Sequence, residues 1–591
     1  MIKTTSFRSH LFLLVLIVAV LAIYARIFFY PFINFDDNFY VFGNPHLKNG
    51  LNWKGLQWAL TADLLFDSAH VDYWQPVTAI SRLIDVSLFD FWAGGHHLIN
   101  LLLHIANVIL LFNILLKVSK SFLSVLIVTS LFALHPVQVE TVAWVTARKD
   151  LLSTFFILIA SFKYLEWMEK PAAGKLFASI VFYALSLLSK PIFFLFPVGI
   201  ALIKRNVRAC FCFLPALILF FAASIFSNTG VKGRIFSLDW YSNSLAHFGF
   251  YIVKLFIPIR FGIYKPLSES EILLWSFVGF ISSVVIFLIV VESFRKKQEP
   301  VWVGIVIFLI TIATSIQIKV ADRVLYAPQI GIWVAWVWAL SKSINYKPKI
   351  YQTVFSISAF SIIFMLAVQS FQQVSFWKST KTLFEHSNSL SKGHYIAKNV
   401  LANEYATTGD APSAFRLYGE AIEENPNYME SYLNFGSLLI GQGQADQAIQ
   451  FLERALSMNP NLAETHVLLG TAYIALQDLE KAEIAYTKAI QLKPDLLQAL
   501  NNLGNISLRK GNLEEAIQRY KEAIQIDPDV VEPHNNLTVV YQAARLYDQA
   551  WKHYREVLRI NPQYPGIYHR ISKLFQEWGK PVEAQFYSQK T

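Results

Sequence analysis

The chain has 591 residues, 54% of them hydrophobic and 15% aromatic, with a formal net charge of +10 and a mean hydropathy of +0.40. This balance excludes an ordinary soluble globular protein over much of its length, and two cysteines, Cys210 and Cys212, exclude a disulfide framework and a CxxC metal site. The positive charge does not point to nucleic acid, because much of it lies in short basic clusters beside apolar runs.

The first apolar stretch, Leu11 to Phe29, follows Lys3 and Arg8. It is long for the core of a signal peptide and precedes bulky Tyr30-Pro31-Phe32, so it is expected to stay as a first membrane span. Eleven candidate spans follow from apolar length: 11–30, 98–116, 121–134, 151–166, 176–190, 191–204, 209–227, 271–291, 301–318, 324–341 and 351–370. The basic clusters Lys117/Lys120, Lys170/Lys175, Lys204/Arg205/Arg208, Arg295 to Lys297 and Lys342/Lys347/Lys349 then all fall on the cytoplasmic side with the N-terminus. The first outside loop, 31–97, is acidic, with Asp36, Asp37, Asp63, Asp67, Asp72, Asp85 and Asp90. Segment 244–259, carrying Lys254 and Pro258, is expected to be interfacial or re-entrant; a crossing there would flip everything after it. An odd span count leaves the C-terminal part outside.

On this topology four polar clusters share one membrane face, where ionisable groups suggest chemistry. Asp36-Asp37 closely follows the first span; one carboxylate of such a pair can act as a base while a cation holds the other. The segment 51–92 mixes tryptophans with acids and reads as interfacial amphipathic helices. His97, Asn100, His104 and Asn107 fall on one helical face, which is expected to face the bundle or a cavity and not lipid. His135-Pro136 closes the third span; Glu140, Trp144 and Arg148 recur every four residues, and Lys149-Asp150 opens the next span. These residues make either an internal ion pair or an anion pocket. Asp322-Arg323 with Tyr326 opens a later span, and its arginine can hold a phosphate in two bonds or snorkel to the interface. Neither His96-His97 nor His135 with Glu140 has the spacing of a zinc site, so no metal ligand set is assigned, although a carboxylate pair is compatible with a divalent cation.

Downstream, prolines recur at 426, 460, 494, 528 and 562, and alanines at 414, 448, 482, 516, 550 and 584, all 34 residues apart. Gly436, Gly470 and Gly504 fill another small position on the same period. This is the signature of tetratricopeptide (TPR) repeats, paired helices stacked into a solenoid. Five repeats fit from about 395 to 564, with a partial sixth as a cap, and the groove of such an array is a surface for a polypeptide or partner protein. The expected division is a transmembrane domain over 1–375, a helical connection over 376–394 and the solenoid over 395–591.

Taken in order, Phe35-Asp36-Asp37 to Tyr40-Val41 and Asn44-Pro45, Gly95-His96-His97 with Asn100, His135-Pro136 to Arg148-Lys149-Asp150, Tyr251 with Lys254 and Pro258, and Ala321-Asp322-Arg323 with Tyr326 and Pro328 resemble the TPR-containing branch of the GT-C glycosyltransferases. The transmembrane and TPR-containing O-mannosyltransferases and their bacterial counterparts belong to that branch. The resemblance implies an all-α fold: a polytopic GT-C-like helix bundle followed by a TPR solenoid. It implies a polyprenyl-phosphate sugar donor, Asp36 or Asp37 as catalytic base, inverting transfer to an acceptor hydroxyl, and His97, His135, Glu140, Arg148, Lys149, Asp150, Asp322, Arg323 and Tyr326 about the donor phosphate and substrate. Gln75 departs from the pattern, since many bacterial relatives carry a basic residue before that proline. A bacterial inner membrane with the repeats in the periplasm, or an endoplasmic reticulum membrane with them in the lumen, is the expected setting. A non-catalytic membrane-anchored TPR scaffold explains the repeats but not polar clusters drawn from several loops. A transporter expects its charges near the midplane of the membrane.

Overall fold

The structure, a computed structural model, describes residues 2–61, 74–204, 212–218, 238–259, 261–263, 267–313, 321–345, 348–390 and 393–590. The expected span 209–227 lies largely outside the described residues, as do Asp63, Asp67, Asp72, Arg205, Arg208, Cys210 and Lys347. All regular elements among the described residues are helical, in two compact units, Met1–Leu401 and Ala402–Thr591. The boundary falls inside helix Tyr395–Thr407. Residues of the expected connection form helix Thr380–Leu390 within the first unit, where Phe384 packs edge-on against Phe35 at 5.3 Å.

Among the described residues of the first unit, five helices are long and apolar enough to cross a membrane: Phe7–Phe29, Ala93–Val118, Val145–Glu169, Glu269–Arg295 and Lys349–Phe376. A sixth span arises if the bent pair Phe122–Leu134 and Pro136–Ala143, broken by 45°, is counted as one. The expected eleven are not confirmed among the described residues, where apolar runs also form shorter helices such as Ala173–Ser189, Phe196–Lys204 and Glu299–Ile312. An apolar run reads alike whether its helix crosses in one piece or breaks on the way. The break at residue 135 has a local cause: Pro136 offers no N–H to continue the helix. His135 Nδ1 accepts the Val137 N–H at 3.2 Å instead. Helix Phe122–Leu134 sits at the centre, packed by Ile2–Tyr24, Ala93–Val118, Gln329–Asn345 and Lys349–Phe376. That position fits a helix that is apolar on every side. Outward, Leu273, Phe277, Ile357 and Phe364 form part of an exposed apolar surface suited to lipid.

Close helix crossings depend on glycine. A Cβ on Gly304 would lie 2.5 Å from the Gly331 carbonyl oxygen and 2.8 Å from the Ala335 nitrogen, both backbone atoms. Gly304→Ala is therefore expected to destabilise the unit by roughly 1–3 kcal/mol. Gly174→Ala, with nothing near its Cβ, is expected to be neutral or slightly stabilising. Melting temperatures of the two purified variants in detergent check this. Segment 244–259 lies mostly in helix Leu238–Phe256, which packs closely on Glu269–Arg295 where Gly249 meets Gly279.

The second unit continues the helix pairs, from Met429–Gly441 with Ala445–Met458 through Val531–Ala543 with Tyr547–Ile560, and closes with Ile567–Glu577 and Pro581–Ser588. The recurring alanines 414, 448, 482, 516 and 550 are fully buried. Gly470 and Gly504 leave room for the rings of Tyr486 and Tyr520, which a Cβ would approach to 2.8 and 2.5 Å.

Candidate functional site

The polar clusters of the first unit meet around one short stretch, Trp144 to Asp150. It lies between the end of helix Val139–Ala143 and the start of Arg148–Glu169. Its residues reach several other elements. The Asn100 amide donates to the Trp144 carbonyl at 2.9 Å. The Thr146 N–H and hydroxyl both donate to Asp37 Oδ1, at 2.9 and 2.5 Å, and the Ile33 N–H donates to Asp37 Oδ2 at 3.0 Å. Asp37 is thus fully buried with both oxygens engaged, while its neighbour Asp36 is half-buried. Adjacent in sequence, the two carboxylates occupy different environments.

Burial pushes the Asp37 carboxyl up to about 6, against the opposing pull of its hydrogen bonds to Thr146 and Ile33, and the charge of Asp36 adds to the rise. Because the folded value lies above the unfolded one, the neutral carboxyl favours the fold. Its contribution is complete below the unfolded value of 3.8 and is lost as the pH rises through about 6. The loss is on the order of 3 kcal/mol across that window. Wild-type protein is therefore expected to lose more melting temperature between pH 5 and pH 7.5 than Asp37→Asn does. Thr146→Ala, by removing a donor to the carboxylate, is expected to move the transition upward by about 1 pH unit. Melting curves across the pH range read both effects.

Arg148 is fully buried and its donors are committed. Nε bonds Asn100 Oδ1 at 2.6 Å, Nη2 bonds the His96 carbonyl at 2.7 Å, and Nη1 pairs with Asp85 Oδ2. His96 Nδ1 lies 3.1 Å from the same Asp85 oxygen. Arg148 thus ties three helices together, as an internal ion pair does. Arg323 is similarly held, with Nη1 3.1 Å from Glu140 Oε1 and its guanidinium 4.6 Å above the Trp144 ring. Glu140 Oε2 accepts the backbone N–H groups of Asp322 at 2.7 Å and Arg323 at 3.3 Å, and Asp322 pairs with Lys254. Glu140 therefore anchors the 321–326 turn. His135 is also spent on protein: with Nδ1 accepting from Val137, Nε2 donates to the Leu255 carbonyl at 3.1 Å. Asp150 pairs with Lys190 at 2.6 Å.

His97, Asn100, His104 and Asn107 are all buried in the bundle, as their shared face led one to expect. His104 Nδ1 meets the Tyr326 hydroxyl at 2.9 Å, and the Asn107 amide donates to that hydroxyl at 3.1 Å. Tyr326 is thereby fixed one residue before the wall of a cavity.

Two cations share an aromatic neighbour. Arg82 and Lys149 lie 5.1 and 5.5 Å from the centre of the Tyr40 ring. Arg82 is buried; its Nη2 reaches the Thr146 carbonyl at a long 3.4 Å, and its Nε has no hydrogen-bond partner. Burial first, and then the charge of Arg148, lowers its pKa to about 10, with Tyr40, Asp37 and Asp85 opposing. Arg82, Thr146 and Lys190 were not singled out as site residues from the sequence. Arg82 and Asp85, three apart on helix Pro76–Phe89, carried a signal that could have found the first; Thr146 and Lys190 carried none. Gln75, at the start of that helix, is buried with Oε1 unpartnered.

An apolar cavity of about 1160 Å³ begins at Thr154 and Ala327, one helical turn from Asp150 and one residue from Tyr326. It runs between helices past Val128, Leu158 and Val334 to Lys120, Glu299 and Lys342. Among the described residues, no three His, Cys, Asp or Glu side chains gather as a metal site.

The C-terminal repeats match family models described as tetratricopeptide repeat, over residues 406–454 and 439–503, and TPR repeat, over 504–544. A protein O-mannosyl-transferase of Caenorhabditis elegans is 25% identical across 395 residues, covering 61% of this chain and 55% of that protein. Two further protein O-mannosyl-transferases match over shorter stretches. TMTC1 of Mus musculus is 28% identical over 26% of this chain and 17% of its own length; TMTC3 of Homo sapiens is 36% identical over 17% and 10%. These relatives carry the name to which the motif resemblance pointed. The chain spans about half the length of the first of them and less of the others.

Proposed function

We propose that this chain is a membrane glycosyltransferase that moves a sugar from a polyprenyl-phosphate donor to a hydroxyl of a polypeptide on the non-cytoplasmic face. The observation that carries the reading is the gathering of a carboxylate pair and two cations beside the Tyr40 ring, around Trp144 to Asp150, one helical turn along the chain from an apolar cavity. A lipid-linked sugar has the same two-part chemistry, a charged head and an apolar tail. The tail lies in the cavity and the phosphate near Tyr40, Arg82 and Lys149.

Asp36 takes the proton of the acceptor hydroxyl, whose oxygen attacks the anomeric carbon. The bond from that carbon to the phosphate oxygen breaks on the opposite face, so the configuration inverts. The phosphate leaves with the bonding electrons, and cations offset its developing charge without a general acid. Asp37, locked by Thr146 and Ile33, positions the loop that carries Asp36. The TPR repeats recruit the polypeptide acceptor and raise its effective concentration. The names of the relatives make mannose the first sugar to try.

The test is transfer by the purified chain from labelled polyprenyl-phosphate sugars, with sugar nucleotides beside them. Turnover of lipid-linked donors alone supports the reading. A folded protein that turns over none of them, or that prefers a sugar nucleotide, sinks it.

A further inference from the structure

Two histidines of the repeat unit face each other across one helix pair. His534 lies on helix Val531–Ala543 and His553 on helix Tyr547–Ile560, and their Nδ1 atoms are 2.9 Å apart. His534 is buried, with its Nε2 3.2 Å from the Pro528 carbonyl oxygen. That oxygen can only accept, so Nε2 carries the proton and Nδ1 keeps its lone pair. A carbonyl that fixes the tautomer and orients the ring is the usual support behind a metal-binding imidazole. The His553 ring is steadied by Tyr541, stacked at 5.6 Å with the planes 15° apart. His553 is half-buried, so a hydrated ion can reach the pair.

The other repeats show what the scaffold needs and what it does not. His466, two repeats before His534, makes the same bond, Nε2 to the Pro460 carbonyl at 3.2 Å. The position equivalent to His553 is there Ala485. Tyr432, one repeat earlier again, bonds the Pro426 carbonyl through its hydroxyl at 3.2 Å. The carbonyl bond thus belongs to the repeat scaffold, whereas a second imidazole is not required to build it.

The separation selects the metal. With metal–nitrogen bonds of about 2.05 Å, two nitrogens 2.9 Å apart subtend about 90° at the ion, the angle between neighbouring ligands in tetragonal coordination. A tetrahedral ion needs about 3.3 Å between them. Tetragonal nitrogen and oxygen sites suit copper(II) and nickel(II), and copper(II) binds the tighter. Glu556, one turn on from His553, is held by Arg559 at 2.7 Å and is not counted as a ligand.

We infer that His534 and His553 chelate a divalent transition-metal ion of tetragonal preference, copper(II) foremost, through Nδ1 of each ring, with water in the remaining positions. On binding, the His553 Nδ1 proton passes to solvent and Nε2 takes one up, so the ring stays neutral and the ion replaces the hydrogen bond between the rings. The ion cross-links the two helices of one repeat, the second of which packs on Ile567–Glu577, and stabilises the folded chain by mass action. The site is independent of the proposed transfer reaction.

The test titrates the full-length chain, purified in detergent on a tag without histidine, with copper(II) chloride in a non-coordinating buffer. Equilibrium dialysis and electron paramagnetic resonance read the result. Wild type is expected to hold one copper per chain more than the His534→Tyr/His553→Ala double variant, with an axial spectrum split by two imidazole nitrogens. Each single variant is expected to weaken that copper at least about tenfold. Both should fold, since Tyr432 keeps the carbonyl bond and Ala485 fills the facing position elsewhere in the array. His466→Ala is expected to leave copper binding unchanged. Equal copper affinity in wild type and both single variants marks an adventitious ion only and overturns the inference. So does tighter binding of zinc than of copper by wild type, or an unchanged spectrum in the double variant.

Discussion

Asp36→Asn is expected to lower transfer by roughly 10²–10⁴-fold, the usual contribution of a positioned general base, with melting temperature and donor KM little changed. The expectation follows from the division of labour between the two carboxylates. Asp36 keeps solvent access, so it can approach an acceptor hydroxyl and lose a proton to water afterwards. Asp37 is buried and accepts three hydrogen bonds, which leaves it no room to act on substrate. In Asp37→Asn an amide must replace a carboxylate oxygen, and where its NH₂ faces the Thr146 donors or the Ile33 N–H a donor meets a donor. That variant is expected to lose activity and thermal stability together. Initial rates and melting curves on the two single variants separate the roles. Full transfer by Asp36→Asn, or loss confined to Asp37→Asn with its fold intact, reverses the assignment.

Arg148→Met is expected to be the most damaging single change to the first unit, at about 3–5 kcal/mol, because it leaves the buried Asp85 carboxylate without its guanidinium partner. A fall in melting temperature of at least roughly 5 °C in detergent is the measurable consequence. Arg148→Lys is not expected to rescue it, since one ammonium cannot reach Asn100, Asp85 and the His96 carbonyl in the fork geometry these partners require. Lys117→Ala supplies the contrast. Its partner Glu169 lies 2.5 Å away but is 58% exposed, so the loss should be no more than about 1 kcal/mol. Equal melting temperatures for Arg148→Met and wild type would return Arg148 to the list of substrate ligands.

By itself the sequence determined the membrane character of the first unit, the 34-residue repeat of the second and the residues of the polar clusters. These are local properties: apolar length, periodicity and the residue types needed for acid–base and phosphate chemistry leave their mark within a window of the chain. The buried stripe of His97, Asn100, His104 and Asn107 was legible for the same reason, since helical spacing alone sets a common face. Partners were not legible. Arg148 meets Asp85 across 63 residues and Glu140 meets Arg323 across 183, and no local pattern says which of several arginines is neutralised from within. The tertiary structure decided that Arg148, Arg323 and His135 hold the protein together while Arg82 and Lys149 flank Tyr40. It likewise decided which aspartate is buried, because Thr146 comes to Asp37 from 109 residues away. Burial and pairing decide what a charged side chain does, and both belong to the packed chain.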